Sequence, residues 1–339
     1  MIAFSRRIGV DLGTVNSLVW VQGRGVVVNE PSVVAVALRD KRVVAVGTVA
    51  KNMLGRTPGT IVASKPLRSG VIADYPVTEA MLRYFLQKVM GRGFLFKPEV
   101  MVSVPAGSTQ VERRAVLDAT LSAGARVAYL VDEPLAAMIG AGIPIGEASG
   151  NMILNIGGGA AEAAVVSLGG VVASKGIRVG GNTFDEAIQK YVRKKYGVMI
   201  GDSTAEMVKV TVGSALPTEP SSKEKTIQVK GRDTVQGLPR EIQLTSQDAW
   251  EAMQRPLALI LEMVKKVLEE VPPELASDII DKGLMMTGGS VLLSHLDTFL
   301  SKEIGIPVSL AEDPLQCVIK GIGVMLDDLE TYRHALRER

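Results

Sequence analysis

The chain has 339 residues, 47% of them hydrophobic, with 38 Lys and Arg set against 36 Asp and Glu. That length suits about two domains at roughly 150 residues each, and the apolar content excludes global disorder. The near-even charge balance argues against a nucleic-acid partner held by bulk positive charge.

Residues 8–21, IGVDLGTVNSLVWV, set two apolar runs around a Gly-Thr-Asn turn, the pattern of strand, turn and strand. Further strands are expected at 25–28, 33–38 and 43–46. Segment 48–64 reads as a short helix followed by a Pro-Gly turn. Residues 77–90 carry apolar side chains at helical spacing, with Thr78 as the expected N-cap. A buried strand over 100–104 leads through Pro105 into an amphipathic helix at 109–123. A strand over 129–131 and a helix over 133–142, with Pro134 in its first turn, follow. The outline then starts again at residue 151. Aligning Asp11 with Asn155 also places Gly13 on Gly157, which reads as an internal repeat. After it come a Gly-Gly turn at 180–181 and helices over 183–196 and 203–212. Segment 216–240 is rich in Pro, Ser, Lys and Thr and is expected to be a surface excursion or a small β unit. A helix over 246–270, a Pro-Pro break, a strand over 284–286, a strand near Val308 and helices around 314–336 close the chain.

One cysteine, Cys317, excludes an internal disulfide and a Cys-rich zinc site, and two histidines leave little for a His cluster or a Ser-His-Asp triad. No apolar run of 18 residues is present, and Met1–Arg7 is too short and too quickly basic for a secretion signal. The default expectation is a reduced, cytosolic α/β protein. Three glycine turns each follow an apolar strand: Asp11-Leu12-Gly13-Thr14, Asn155-Ile156-Gly157-Gly158-Gly159 and Thr287-Gly288-Gly289-Ser290. Glycine lets main-chain N–H groups approach a phosphate and form an anion nest. One such turn usually only turns. Three at strand ends in two halves suggest a nucleotide clamped between domains. None is a Walker or GxGxxG motif. Asp11 lies in an otherwise apolar strand, where a carboxylate needs a partner or an ion; Mg²⁺ held through water suits it, and a cap on a neighbouring turn is the alternative.

The order DLGTVNS, EPLAAMIGAG, IGGGAAEAAVVSLGG and TGGS resembles that of the actin / Hsp70 / sugar-kinase ATPase superfamily. NEPSVVAV, GVIADYPVTEAMLRYF, DEPLAAMIGAGIPIGE, RVGGNTFDEAI, IGDSTAEMVKVTVGSA, RDTVQGLPREI and EDPLQCVIKGIG resemble, more closely, the bacterial actin MreB family. The resemblance implies an α/β fold of two lobes, each a βββαβα core with a small subdomain. Residues 1–32, 66–142 and 316–339 would form the first core and 33–65 its small subdomain. Residues 143–180 and 246–315 would form the second core and 181–245 the other subdomain. It further implies ATP or ADP with Mg²⁺ in the cleft, and self-assembly into filaments of paired strands. Those filaments would lie on the inner face of the cell membrane, work with the cell-wall elongation machinery and help set cell shape.

Matched motif by motif, the resemblance assigns Asp11, Gly13, Thr14, Val15 and Asn16 to the first phosphate loop, with Asp11 facing the metal through water. It assigns Glu133 to polarising the attacking water, and Asn155 to Ala161, with Gly157, Gly158 and Gly159, to the second loop. Gly180, Gly181 and Asp185 match a nucleotide-side turn, Glu206 and Lys209 flank the adenine, and Gly288 and Gly289 form the adenosine turn. The second loop departs from the family pattern: DIGGGTTE becomes NIGGGAAE. Asn155 removes a charge from the metal's surroundings, and Ala160 and Ala161 remove two hydroxyls. Losing one preorganised group costs catalysis about 2.7–4 kcal/mol, so hydrolysis is expected to be weak or lost while the glycine nest still binds nucleotide. An active ATPase filament, with the first loop and Glu133 sufficient, is the alternative; a non-polymerising kinase or chaperone ATPase is another. Ser290, where a third Gly is usual, is a milder departure.

Phe94, Leu95 and Phe96, flanked by Arg92 and Lys97, either begin a core strand or enter a membrane surface; the family resemblance favours the membrane, with residues 1–7 as a second anchor. His295 and His334 are expected at surface or packing positions. Cys317 is expected to be a small buried hydrophobe, and the methionines core filler.

Overall fold

The computed structural model describes residues 6–91, 97–217, 224–333 and 336–338. Two large sheets organise them. The first runs, in spatial order, Gly25–Pro31, Asn16–Val21, Arg7–Leu12, Glu99–Val104 and Val127–Asp132, with Arg337–Glu338 on its far edge. The second runs Gly170–Ile177, Ala161–Ser167, Asn151–Ile156, Leu284–Thr287 and Val308–Leu310. In each, two hairpin pairs are followed by two parallel pairs. The repeat read from the sequence is therefore a repeat of topology: Asp11 sits opposite Leu18, and Asn155 opposite Glu162, at the same step of their hairpins.

Parallel strands are covered on both faces and so read as unbroken apolar runs. Val100 and Val102 turn to one side, against Met81, Leu82 and Phe85 of the Tyr75–Met90 helix. Met101 turns to the other, into a core shared by both sheets. That shared core is built on two helices, Glu133–Gly140 and Cys317–Asp327, which lie between the lobes. They cross at reciprocal glycines. A Cβ on Gly140 would stand 1.8 Å from the Cys317 carbonyl oxygen, and one on Gly321 would stand 1.8 Å from that of Ala136. Only glycine permits that approach. Cys317 is fully buried here, and burial pushes its thiol up to about 11.

Each lobe carries a smaller sheet. Val34–Ala37 is flanked by Val43–Val46 and Ile61–Ser64. Thr226–Asp233 lies between Val198–Met199 and Pro239–Thr245, so the polar 216–240 segment contributes one strand and the start of the next. Three expectations change. Asp74, not Thr78, caps the Tyr75–Met90 helix: its Oδ1 accepts from the Val77 N–H at 3.2 Å, while the Thr78 hydroxyl donates back to the Asp74 carbonyl. Pro76 pre-sets that first turn, which is why the helix starts two residues early. The segment after the Pro-Pro break is a helix, Pro273–Lys282, with Pro273 in its first turn. The 48–64 segment contains only one helical turn, Thr48–Lys51, and then the Ile61–Ser64 strand.

Candidate functional site

Asp11 ends a strand whose apolar neighbours are buried, and its carboxylate is half-buried with them. Ser103, one strand over, donates its hydroxyl to Asp11 Oδ1 at 2.9 Å. Burial pushes the carboxyl up to about 6 against that bond. The glycine turn that follows is pinned from behind. The Ser32 hydroxyl donates to the Gly13 carbonyl at 2.5 Å and the Ser32 N–H to the Val15 carbonyl at 2.8 Å. With the carbonyls drawn back, the N–H groups of Thr14 and Val15 meet no acceptor among the described residues. Thr14 Oγ1 accepts from the Gly70 N–H at 2.9 Å.

The second loop repeats the design with one exchange. Asn155 Oδ1 accepts from the Thr287 hydroxyl at 3.3 Å, on the neighbouring parallel strand, as Asp11 accepts from Ser103. Its amide Nδ2 donates to Glu133 Oε2 at 3.2 Å. The Gly157 carbonyl accepts from the Gly181 N–H at 3.0 Å and the Ser290 hydroxyl at 2.8 Å, and the Gly158 carbonyl from the Asn182 N–H at 2.8 Å. These bonds again leave the N–H groups of Gly158 and Gly159 without an acceptor among the described residues. The loops meet across the lobes: a Cβ on Gly158 would lie 2.1 Å from Val15 Cγ2, and one on Gly159 would lie 2.4 Å from Thr14 Oγ1. Unbonded N–H donors of both loops thus come together where the loops meet, an arrangement suited to an anion.

Four carboxyls crowd the cleft floor: Asp11, Asp132, Glu133 and Glu162. Burial first, then the charges of Glu162, Asp11 and Asp132, hold Glu133 well above the usual carboxylate range. Glu162 is 3% exposed and burial pushes it up to about 7, although its Oε2 accepts from the Ala106 N–H of the opposite lobe at 3.2 Å. Arg113, itself buried, is taken by Asp132 at 2.6 Å and by the Ala106 and Ser108 carbonyls. Ser103 and Glu162 are not among the candidates read from the sequence, where Thr287 figures only as the start of the third glycine turn. Glu162 had a signal, since like Asp11 it is a lone carboxylate in an apolar strand.

The remaining expected positions fall around the same loops. Gly181 and Asp185 meet at Lys209, whose Nζ donates to the Gly181 carbonyl at 3.0 Å and pairs with Asp185 at 2.8 Å. Burial raises the Asp185 carboxyl despite that pair. Gly180 packs on the second loop, where a Cβ would stand 2.7 Å from the Gly157 carbonyl oxygen. Glu206 turns outward and pairs with Lys51 of the other lobe's small subdomain at 3.8 Å. Gly288, at φ 92, packs on Asn155, where a Cβ would stand 2.7 Å from Oδ1; Gly289 opens the turn that carries Ser290. Beside the loops lies a cavity of about 500 Å³ lined by Thr14, Lys65, Arg68, Ser69, Gly159 and Asp185 among others. Among the described residues no three His, Cys, Asp or Glu side chains form a metal-holding group. Asp11 alone, beside anion-binding amides, suits a Mg²⁺ that keeps its waters and takes other oxygens from a phosphate. Phe94, Leu95 and Phe96, residues 1–5 and His334 lie outside the described residues. His295 is exposed, at φ 60, with its ring 3.2 Å from the Ser214 hydroxyl.

A family profile described as MreB/Mbl protein matches residues 5–334. The chain belongs to the MreB/Mbl family. Its MreB/Mbl relatives include the cell shape-determining protein MreB of Escherichia coli (strain K12), 50% identical over 334 residues, 97% of this chain and 95% of that protein. The cell shape-determining protein Mbl of Bacillus subtilis (strain 168) is 46% identical over 327 residues, 96% of this chain and 97% of that one. Among solved structures, MreB 5 of Spiroplasma citri bound to AMPPNP superposes at a TM-score of 0.91, with 35% identity and 98% of each chain covered. The MamK double helical filament, at 20% identity, shares the fold at a TM-score of 0.79 over 95% of this chain and 99% of that one. The fold of this MreB/Mbl chain is thus the actin-like one the sequence implied.

Proposed function

We propose that this chain is a cytoskeletal protein of the inner membrane face. It would bind ATP or ADP with Mg²⁺ between its lobes, assemble into paired filaments, and organise cell-wall synthesis, with hydrolysis weak. The observation that carries nucleotide binding is the touching pair of glycine loops, whose carbonyls at Gly13, Val15, Gly157 and Gly158 are bonded while the N–H groups beside them are left unbonded. The solved MreB5 structures bound to AMPPNP and to ADP support it. Relatives known as cell shape-determining proteins, and the shared filament fold, support the cytoskeletal role.

Weak hydrolysis follows from the loop's own residues. Water activation needs a carboxylate able to accept a proton and hold its solvent. One oxygen of Glu133 is occupied by the Asn155 amide. A bound Mg²⁺ would supply charge neutralisation at the phosphates; Asn155 offers it no charge, and its carbonyl oxygen already accepts from Thr287. Ala160 and Ala161 offer no hydroxyl to orient water. Membrane attachment rests on the Phe94–Leu95–Phe96 segment between Arg92 and Lys97. The deciding experiment measures ATP binding and phosphate release on one purified sample, with electron microscopy for filaments. Tight binding with filaments and little phosphate release is expected. Turnover equal to a relative carrying DIGGGTTE would overturn the weak-hydrolysis reading. Charge substitutions at Phe94 and Phe96 should abolish liposome co-sedimentation while filaments persist; unchanged lipid binding would overturn the anchor.

A further inference from the structure

Both phosphate loops touch a third segment. The short strand Leu67–Arg68 reverses into Val71–Ile72 through Ser69 at φ 51 and Gly70 at φ 81. A non-glycine residue in the left-handed region is costly and needs its surroundings to hold it. Here the Gly70 N–H is bound by Thr14 Oγ1 of the first loop, and a Cβ on Gly159 of the second would stand 2.9 Å from Ser69 Cα. The turn is therefore fixed against the place where the two loops meet.

Two cations project from this segment into the 500 Å³ cavity, Lys65 and Arg68. Among the described residues neither makes an ion pair or a side-chain hydrogen bond. The acids of the opposite wall are already engaged. Asp185 pairs with Lys209 at 2.8 Å, Glu186 with Lys190 at 3.6 Å, and Asp202 accepts from the Gln189 amide at 3.0 Å. Arg68 is thus left without a counter-charge, Lys65 is partly offset by the charge of Asp185 across the cavity, and the acids opposite are held by other partners. A cavity floored by anion-binding amides and walled this way suits the outer end of a polyphosphate.

We propose that Arg68 and Lys65 contact the terminal phosphate of the bound nucleotide and set the preference for triphosphate over diphosphate. The inference rests on the nucleotide-binding reading above. A diphosphate reaches the glycine loops as well as a triphosphate does; only the third phosphate extends to the cations. Arg68 can meet it with a planar two-donor fork, which Lys cannot reproduce. Arg68 is exposed, so salt will screen the contact.

The test is calorimetric titration of the full chain with MgATP and MgADP, for wild type, Arg68→Ala, Arg68→Lys and Lys65→Ala, at low and high salt. Melting curves check that each variant folds. Arg68→Ala should weaken ATP about tenfold, as loss of one charge-assisted contact does, and ADP less than about threefold. Arg68→Lys should fall between, Lys65→Ala should weaken ATP selectively, and the ATP-selective loss should shrink at high salt. Equal losses for ATP and ADP, or none, would overturn the proposal while nucleotide binding stands. Failure of the wild type to bind either nucleotide would instead overturn the reading beneath it.

Discussion

Asn155→Asp puts the family's carboxylate back beside Glu133. The amide Nδ2 now donates to Glu133 Oε2 at 3.2 Å, so the exchange replaces a donor with a second negative charge at that distance. At an effective dielectric constant of about 20, two full charges so placed cost roughly 5 kcal/mol. The pair will not bear all of it, because Glu133 is already held well above the usual carboxylate range and can keep a proton between the two. A carboxyl whose pKa is higher in the fold than in the unfolded chain binds more protons when folded, so stability falls as pH rises through the folded value. The nucleotide-free variant should therefore be less stable than wild type by about 2–4 kcal/mol at pH 8, between the lost hydrogen bond and the full repulsion, with the gap narrowing as the pH falls. A ligand that neutralises the pair should restore more stability to the variant than to wild type, following the logarithm of its concentration over Kd. Urea unfolding from pH 5 to pH 8, with chelator and with Mg²⁺ and ATP, reads both effects. A variant as stable as wild type at pH 8 in chelator, or one that gains no more from Mg²⁺ and ATP, would refute the reasoning.

Glu162→Gln keeps an acceptor for the Ala106 N–H and removes the charge. With the carboxyl at about 7 in the fold and near 4.5 in the unfolded chain, stability should fall by about 3 kcal/mol more in wild type than in the variant between pH 4.5 and pH 8; equal slopes in urea unfolding would refute it. Thr287→Val leaves Asn155 Oδ1 without its donor in a fully buried site, and should cost about 1–3 kcal/mol by the same assay. Gly140→Ala separates two principles: helix propensity alone would raise stability by about 1 kcal/mol, whereas the 1.8 Å approach to the Cys317 carbonyl should lower it by about 3 kcal/mol. Gly59→Ala, where nothing lies within 4 Å, is the control.

The glycine loops and the helices were legible because each is written locally. Gly13 and Gly157 follow apolar runs of strand length, and the 246–270 helix carries its period for 25 residues. The Pro273–Lys282 helix was not, because consecutive prolines signal a break more loudly than the few apolar residues behind them signal a helix. The apolar period starts beside Thr78 and so points to it as the cap; Asp74 lies outside that period and is fixed by Pro76 instead. What no local pattern carries is contact between strands distant in sequence. Ser103 and Thr287 owe their roles to standing one strand over from Asp11 and Asn155, a register set by βαβ crossovers. The distance from Asn155 to Glu133 and the place of Arg68 beside the loops are products of lobe packing.

The departures in the second loop make physical sense together. Around the cleft stand Asp11, Glu133, Glu162 and Asp132, while Arg113, buried beside them, is already paired with Asp132. A fifth carboxylate at position 155 would need a cation to be tolerable; an amide there bridges Glu133 and Thr287 with the groups at hand. Ala161 is fully buried and faces Ile177 across the hairpin. A hydroxyl at that position would need its own buried partner or a ligand to supply one. At both positions the residue present needs no metal or phosphate to satisfy it, and the unbonded amides of Gly158 and Gly159 remain. The exchanges at positions 155 and 161 therefore support the proposal of weak turnover with nucleotide binding kept.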